Sequence, residues 1–289
     1  MDVKGQQPGQ REDDEMSIPE LKSEHVWVVL LIVALIPALF PLHAPFPMSD
    51  PTKRIYDIIE SLPEGSIVIM GGGGVFAFDL ESSPGMIASL KQMARKHVRL
   101  VTLPVWSETP QFHKFVIDAS RVDKKFGGPW TYGVDYVLLP YIPGGDMVVF
   151  DSFLTDVHKT VSIDLAGTPI DQLPLMNDLH DFHDIALWIC PHWGFVPVVR
   201  IVTGQYDVTT ISFAQSTAYA FFSPYMQAYP GKVYMTNGYI GGAQYEKLCG
   251  ITGLGHLVVD TYTAMSLFIA FFIILGNITM LSKGKEEEE

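Results

Sequence analysis

Two uncharged apolar runs lie near opposite ends of this chain, and they limit what it can fold into. The first covers Val26 to Leu42 and the second Tyr262 to Leu281. A helix crossing a bilayer core needs about 20 apolar residues at a rise of about 1.5 Å each, and both runs approach that length. The expected organisation follows from them. A polar acidic tail over 1–24 has the composition of a disordered segment. A transmembrane helix over 25–42 leads to a domain over 43–261, a second transmembrane helix over 262–281, and a charged tail over 282–289. The first run is read as a retained anchor and not a cleaved signal. Its leader is acidic (Glu12 to Glu15 reads EDDE), and Pro45 follows the only plausible cleavage motif, Leu42-His43-Ala44. Lys and Arg near the runs slightly favour the tails over the domain side, which orients both termini to the cytoplasm and the domain outside.

Charge narrows the partners. The net charge is −13, and no basic stripe is present. Nucleic-acid binding needs clustered Lys and Arg to meet phosphates, so that class is set aside. The expected partners are the lipid bilayer and a membrane protein or a second copy of the chain. Cys190 and Cys249 are the only cysteines, which is no disulfide framework.

The region between the runs alternates two patterns. Asp50-Pro51, Ser83-Pro84 and Thr109-Pro110 each put a potential capping side chain before a proline, which suits the first helical turn. Apolar residues at helical spacing follow each pair: Ile55, Ile58, Ile59 and Leu62; Met86, Ile87, Leu90 and Met93; Phe112, Phe115, Val116 and Ala119. Short β-branched runs lie between and beyond them: Ser66 to Met70, Val98 to Leu103, Tyr136 to Leu139, Ile185 to Cys190 and Val208 to Phe213. Such runs fit strands buried on both faces. Further helices are expected over Asp146 to Val157, Phe195 to Thr203, Thr217 to Gln227 and Gly242 to Leu248. Thr160 to Asp184 fits neither pattern and reads as a crossover skirting a sheet edge. Strands alternating with helices predict an α/β, Rossmann-like domain with a doubly wound, mostly parallel sheet.

Several constellations bear on chemistry. Gly71 to Gly74 follows the first strand, where phosphate loops carry glycines, and Gly72, Gly74 and Ala77 match G-x-G-x-x-A. Val75 to Ser82 then intervenes before the next helix, and no acid ends the second strand to hold a ribose, so a plain glycine turn is the favoured reading. His180-Asp-Phe-His183-Asp184, with His192 beyond the next strand, offers ligand types suited to zinc or iron. It lacks a metal-site spacing, and a polar turn is the favoured reading. Cys190 and His192 alternate, as a nucleophile and its base could, although a strand-end Cys is commonly a small core residue. Asn277 and Gly276 in the second run suggest a helix–helix contact. A ligand site at the C-terminal sheet edge would draw on Gly72, Gly74, Trp106, His192, Trp193 and Gln215.

Three segments carry a resemblance: Arg54 to Met70 (RIYDIIESLPEGSIVIM), Gly241 to Leu248 (GGAQYEKL), and ILGNI ending at Ile278. They resemble a family of uncharacterised two-span microbial membrane proteins with an α/β domain between the spans. The resemblance implies architecture and no activity. The family's relatives tend to carry an acidic, Ser-rich stretch where this chain has Gly71 to Gly74, and HDFHD is a local departure. The resulting expectation is an anchored domain acting as a ligand-binding or accessory subunit without a cofactor. The alternative is a membrane-tethered hydrolase, with zinc or iron held by His180, His183 and His192.

Overall fold

A computed structural model describes residues 23–122, 130–191 and 195–286. The expected N-terminal tail falls mostly outside this range, as do His192 and Trp193, whereas the second tail is helical as far as Glu286. In chain order the elements are α1 (Ser23–Leu39), α2 (Asp50–Ser61), β1 (Ile67–Gly72), α3 (Phe76–Asp79), α4 (Ser83–Arg95), β2 (Arg99–Pro104), α5 (Thr109–Ser120) and β3 (Tyr136–Leu138). There follow α6 (Asp146–Thr155), α7 (Val157–Thr160), β4 (Ile185–Cys190), α8 (Phe195–Val198), β5 (Thr210–Ala214), α9 (Ser216–Phe222), α10 (Pro224–Ala228), β6 (Val233–Asn237), α11 (Gly238–Leu248) and α12 (Leu254–Glu286).

The six strands form one sheet in the order β3-β2-β1-β4-β5-β6, and every pairing is parallel. Alternation along each strand sends side chains to two separate cores. Val68 and Met70 of β1, with Leu187 and Ile189 of β4, face α2, α4, α5 and α11. Ile67 and Ile69, with Trp188 and Cys190, face α6, α8 and the 170–179 stretch. Apolar residues are therefore needed at successive positions, which is why the strands read as continuous apolar runs. The chain builds outward from β1 to β3, then crosses to β4 on the other side of β1, so the direction of winding reverses between β1 and β4.

The structure departs from expectation in several places. The prolines of Asp50-Pro51, Ser83-Pro84 and Thr109-Pro110 do sit in first helical turns. The residues before them are not the caps, because each is already helical. Ser49 caps α2 by accepting from the Thr52 N–H, the Ser83 hydroxyl donates to the Leu80 carbonyl, and the Thr109 hydroxyl accepts from the Gly74 N–H. A sixth strand, β6, was not anticipated. The helix expected over Thr217 to Gln227 breaks at Ser223, before Pro224, and the one over Phe195 to Thr203 turns into a π-helical stretch at Val199–Thr203. Thr160 to Asp184 does skirt an edge. Leu165 N–H bonds to Leu138 O of β3, and Ile170, Leu175 and Met176 enter the core.

Among the described residues one helix segment, Leu254–Ile278, is long and apolar enough to cross a membrane. The described α1 has 17 residues, about 25 Å at the helical rise, and stops at Leu39. The chain then passes Pro41 and enters the left-handed region at His43 (φ 52°). α1 packs along α12, with Val26, Trp27 and Leu30 beside Phe268, Ile269, Phe272 and Ile273. Among the described residues Asn277 shows no contact from its side chain to another helix. It is exposed, and its side-chain amide donates to Ile273 O of its own helix.

Candidate functional site

All strands being parallel, their C-terminal ends share one edge, where α/β sheets commonly bind ligands. Gly71 to Gly74, Trp106 to Glu108, Cys190 with Pro191, and Ser212 to Gln215 all reach that edge. What the glycines do there is structural. A Cβ on Gly71 would lie 2.2 Å from the Trp188 ring, one on Gly73 2.9 Å from Trp106, and one on Gly74 2.6 Å from Phe112. Trp188 also donates its indole N–H to Gly71 O at 2.9 Å. Gly72 has φ 137°, which a side chain would oppose. The amides after the strand are occupied internally: Gly74 N–H by the Thr109 hydroxyl at 3.0 Å, and Val75 N–H by the Asp79 carboxylate at 2.8 Å. Three rings pack directly against these glycines, and these two N–H groups already have partners.

Beside this run an open pocket of about 510 Å³ is lined by Val75, Ala77 and Phe78 after β1, by Val105, Trp106, Ser107 and Glu108 after β2, and by Tyr141 after β3. Trp106 lines this pocket, whereas Gly72 and Gly74 are not among its lining residues. Trp106 also hydrogen-bonds Asp146 at the start of α6, a carboxyl that partial burial pushes upward while this bond pulls it back. The Cys190 thiol is fully buried. Burial first, then the charges of Asp79 and Asp146, hold it well above the ordinary thiol range, so it stays a protonated core group and a poor nucleophile. Gln215 is buried just past β5 and occupies the N-cap position of α9 without a side-chain capping bond.

The histidines lie at the opposite edge. His180 and His183 precede β4, are largely exposed, and face separate carboxylates, Asp184 and Asp181. Asp181 caps the short turn Phe182–Asp184. The six residues of β4, at about 3.3 Å each, run from this turn to Cys190 at the far edge, with Pro191 after it directly preceding His192. His192 itself and Trp193 lie outside the described residues. No group of three metal-ligating side chains occurs among the described residues.

The most constrained polar chemistry was not singled out in the sequence. It lies where the apolar helices meet the domain. Glu246, 2% exposed, accepts from the N–H groups of Gly253, Gly255 and His256 and from the His256 ring at 2.7 Å, which closes the N-terminus of α12. Asp260, 4% exposed, accepts from three successive amides: Leu42 at 2.9 Å, His43 at 3.0 Å and Ala44 at 2.8 Å. Such a concave run of N–H groups is an anion nest, and the left-handed His43 shapes it. Gln244 binds Ser49, Thr52 and Pro47 O. The available signal was an acid, Asp260, two positions before an apolar run, and a second acid inside GGAQYEKL.

These features define a class: an α/β domain of parallel strands fixed by buried carboxylates to a pair of apolar helices. Comparison with models of protein families, with curated proteins and with solved structures gave no match.

Proposed function

We propose that the protein is a membrane-anchored binding protein, serving as a ligand-binding or accessory subunit beside a membrane partner. Both apolar helices are read as spans, with the termini cytoplasmic and the domain on the outer side. The observation that carries the binding reading is the 510 Å³ pocket at the C-terminal edge. Its walls are apolar and aromatic, and Ser107 and Glu108 supply the few polar groups that orient a ligand. The resemblance to two-span membrane proteins supports the architecture. The hydrolase reading has less behind it, since Cys190 is buried as a thiol and His180 and His183 sit at the other edge.

The test is native mass spectrometry of the full chain purified from its own membranes in mild detergent. A bound small molecule at one per chain is expected, and it is lost when Ala77→Trp fills the pocket. A wild-type spectrum free of any such adduct, with a copurifying protein at fixed ratio, replaces ligand binding with the accessory role alone.

A further inference from the structure

The segment after the glycine run is turned inside out for a water-facing loop. Phe76, Phe78 and Leu80 are 42%, 56% and 42% exposed, while Asp79 among them is fully buried. Asp79 accepts from Val75 N–H within the segment, and Glu81 is turned sideways to the Ser216 hydroxyl at 2.5 Å. Phe76 leans edge-on against Phe112 and Phe115, with centroids 5.7 and 5.3 Å apart, yet all three large apolar side chains keep a broad exposed surface where the acids point in or aside. In water this arrangement forfeits about half of the burial of three apolar groups.

The path of α12 says what faces them. α12 starts beside the C-terminal part of α11, where Glu246 binds Gly253 and Gly255. It runs back along α11, so that Tyr262 meets Tyr239 with ring centroids 6.3 Å apart. Tyr239 is the second residue of α11, which starts straight after β6 at the C-terminal edge of the sheet. Beyond Tyr262 the apolar part of α12 leaves the domain from that edge, with α1 alongside. Ile240 and Tyr141, 49% and 41% exposed, lie on the same edge.

We infer that the C-terminal edge of the sheet is seated in the lipid–water interface, with Phe76, Phe78 and Leu80 inserted at the headgroup–acyl boundary. This rests on the membrane anchorage proposed above. Aromatic side chains favour that depth, and a short element with apolar residues outward and acids inward suits a surface that lies in the interface. Phe78 is also a pocket wall, so the pocket mouth opens at the bilayer plane, and the ligand class is an amphiphile drawn from the membrane.

The test uses the full chain in lipid nanodiscs containing a phospholipid with a diazirine near the headgroup end of one acyl chain. Photolysis and peptide mapping are expected to label the peptide holding Phe76 to Leu80 as well as α12. Nitroxide labels on Phe76→Cys, Phe78→Cys and Leu80→Cys, read separately in a Cys249→Ser background, give a second measurement. Each should relax severalfold less with an aqueous nickel reagent than a label on Glu64→Cys at the opposite edge. A label on Ile273→Cys in α12 is the reference for lipid. If Ile273→Cys is shielded and the three positions respond like Glu64→Cys, the seating is overturned while the anchor stands. If Ile273→Cys also responds like Glu64→Cys, the anchorage itself fails. Only variants that keep the wild-type unfolding midpoint are scored, and the photolabel on the unaltered chain decides if none does.

Discussion

His113 gives the sharpest quantitative expectation. It sits one turn into α5, fully buried, and neither ring nitrogen has a hydrogen-bond partner among the described residues. Burial alone lowers its pKa from 6.5 to about 3. The unfolded chain therefore takes up a proton below pH 6.5 that the folded chain refuses until about pH 3. A folded pKa below the unfolded one means stability that is complete above 6.5 and is lost as pH falls toward 3. At about 1.36 kcal/mol per pH unit, the loss is about 2 kcal/mol by about pH 5 and about 5 kcal/mol at the acid limit. The perturbation is His113→Leu, which removes the titrating ring and its unpaired nitrogens. Denaturant unfolding of the domain in lipid nanodiscs, followed by tryptophan fluorescence, should be run at about pH 7.5 and about pH 5. The difference between wild type and variant cancels the other titrating groups. The variant should match or exceed wild type at the higher pH and lead by about 2 kcal/mol more at the lower one. Parallel pH profiles, within about 0.5 kcal/mol, would refute a buried neutral imidazole at this position.

Four other outcomes follow from contacts described above. Gly71→Ala should destabilise the domain by about 1–3 kcal/mol in the same unfolding assay, because its Cβ would fall 2.2 Å from the Trp188 ring. Asp260→Leu should cost about 3–5 kcal/mol by stranding three amides, and the Leu42 to Ala44 amides should lose protection in hydrogen exchange. Cys190 should resist maleimide in the folded chain, while the half-buried Cys249, pushed up to about 12 mainly by burial, should react slowly; rapid labelling of Cys190 would reopen the nucleophile reading. Elemental analysis of purified protein should find no stoichiometric zinc or iron, and a one-to-one metal content would restore the hydrolase alternative.

The sheet was legible in the sequence because burial on both faces forces continuous apolar runs at β1, β2 and β4. β6 was not, since Val233–Asn237 reads VYMTN and ends in polar residues. Its identity as a strand comes from pairing with β5, which a local pattern does not carry. The proline pairs located three helix starts, yet the cap roles went elsewhere because each residue before the proline is the first helical one. The glycine run reads as a turn after the first strand, but its first half belongs to β1, with Gly71 and Gly72 paired to Leu103 and Pro104 of β2. The reason it must be glycine comes from Trp188, Trp106 and Phe112, three rings from distant elements that converge only in the fold. The inverted polarity of Phe76 to Leu80 is equally hidden, because alternation of Phe and Asp shows a period but not which side faces the core.

The junction decides how the pocket meets its surroundings. A Pro-rich exit such as His43 to Pro47 could act as a loose tether that lets a domain tumble above a membrane. Here it does not, because its backbone is bound at both ends. Asp260 takes the amides of Leu42 to Ala44, and Gln244 takes Pro47 O along with the hydroxyls of Ser49 and Thr52. Phe46 packs edge-on to His256 with centroids 5.5 Å apart, while His256 is itself bonded to Glu246. These bonds join α11, α12 and the exit segment through buried groups, and loosening any one strands amides or a carboxylate away from water. The domain therefore cannot pivot about α12 without breaking several of them together. Its C-terminal edge keeps one orientation relative to α12, so a pocket at that edge holds a fixed position relative to the apolar part of that helix.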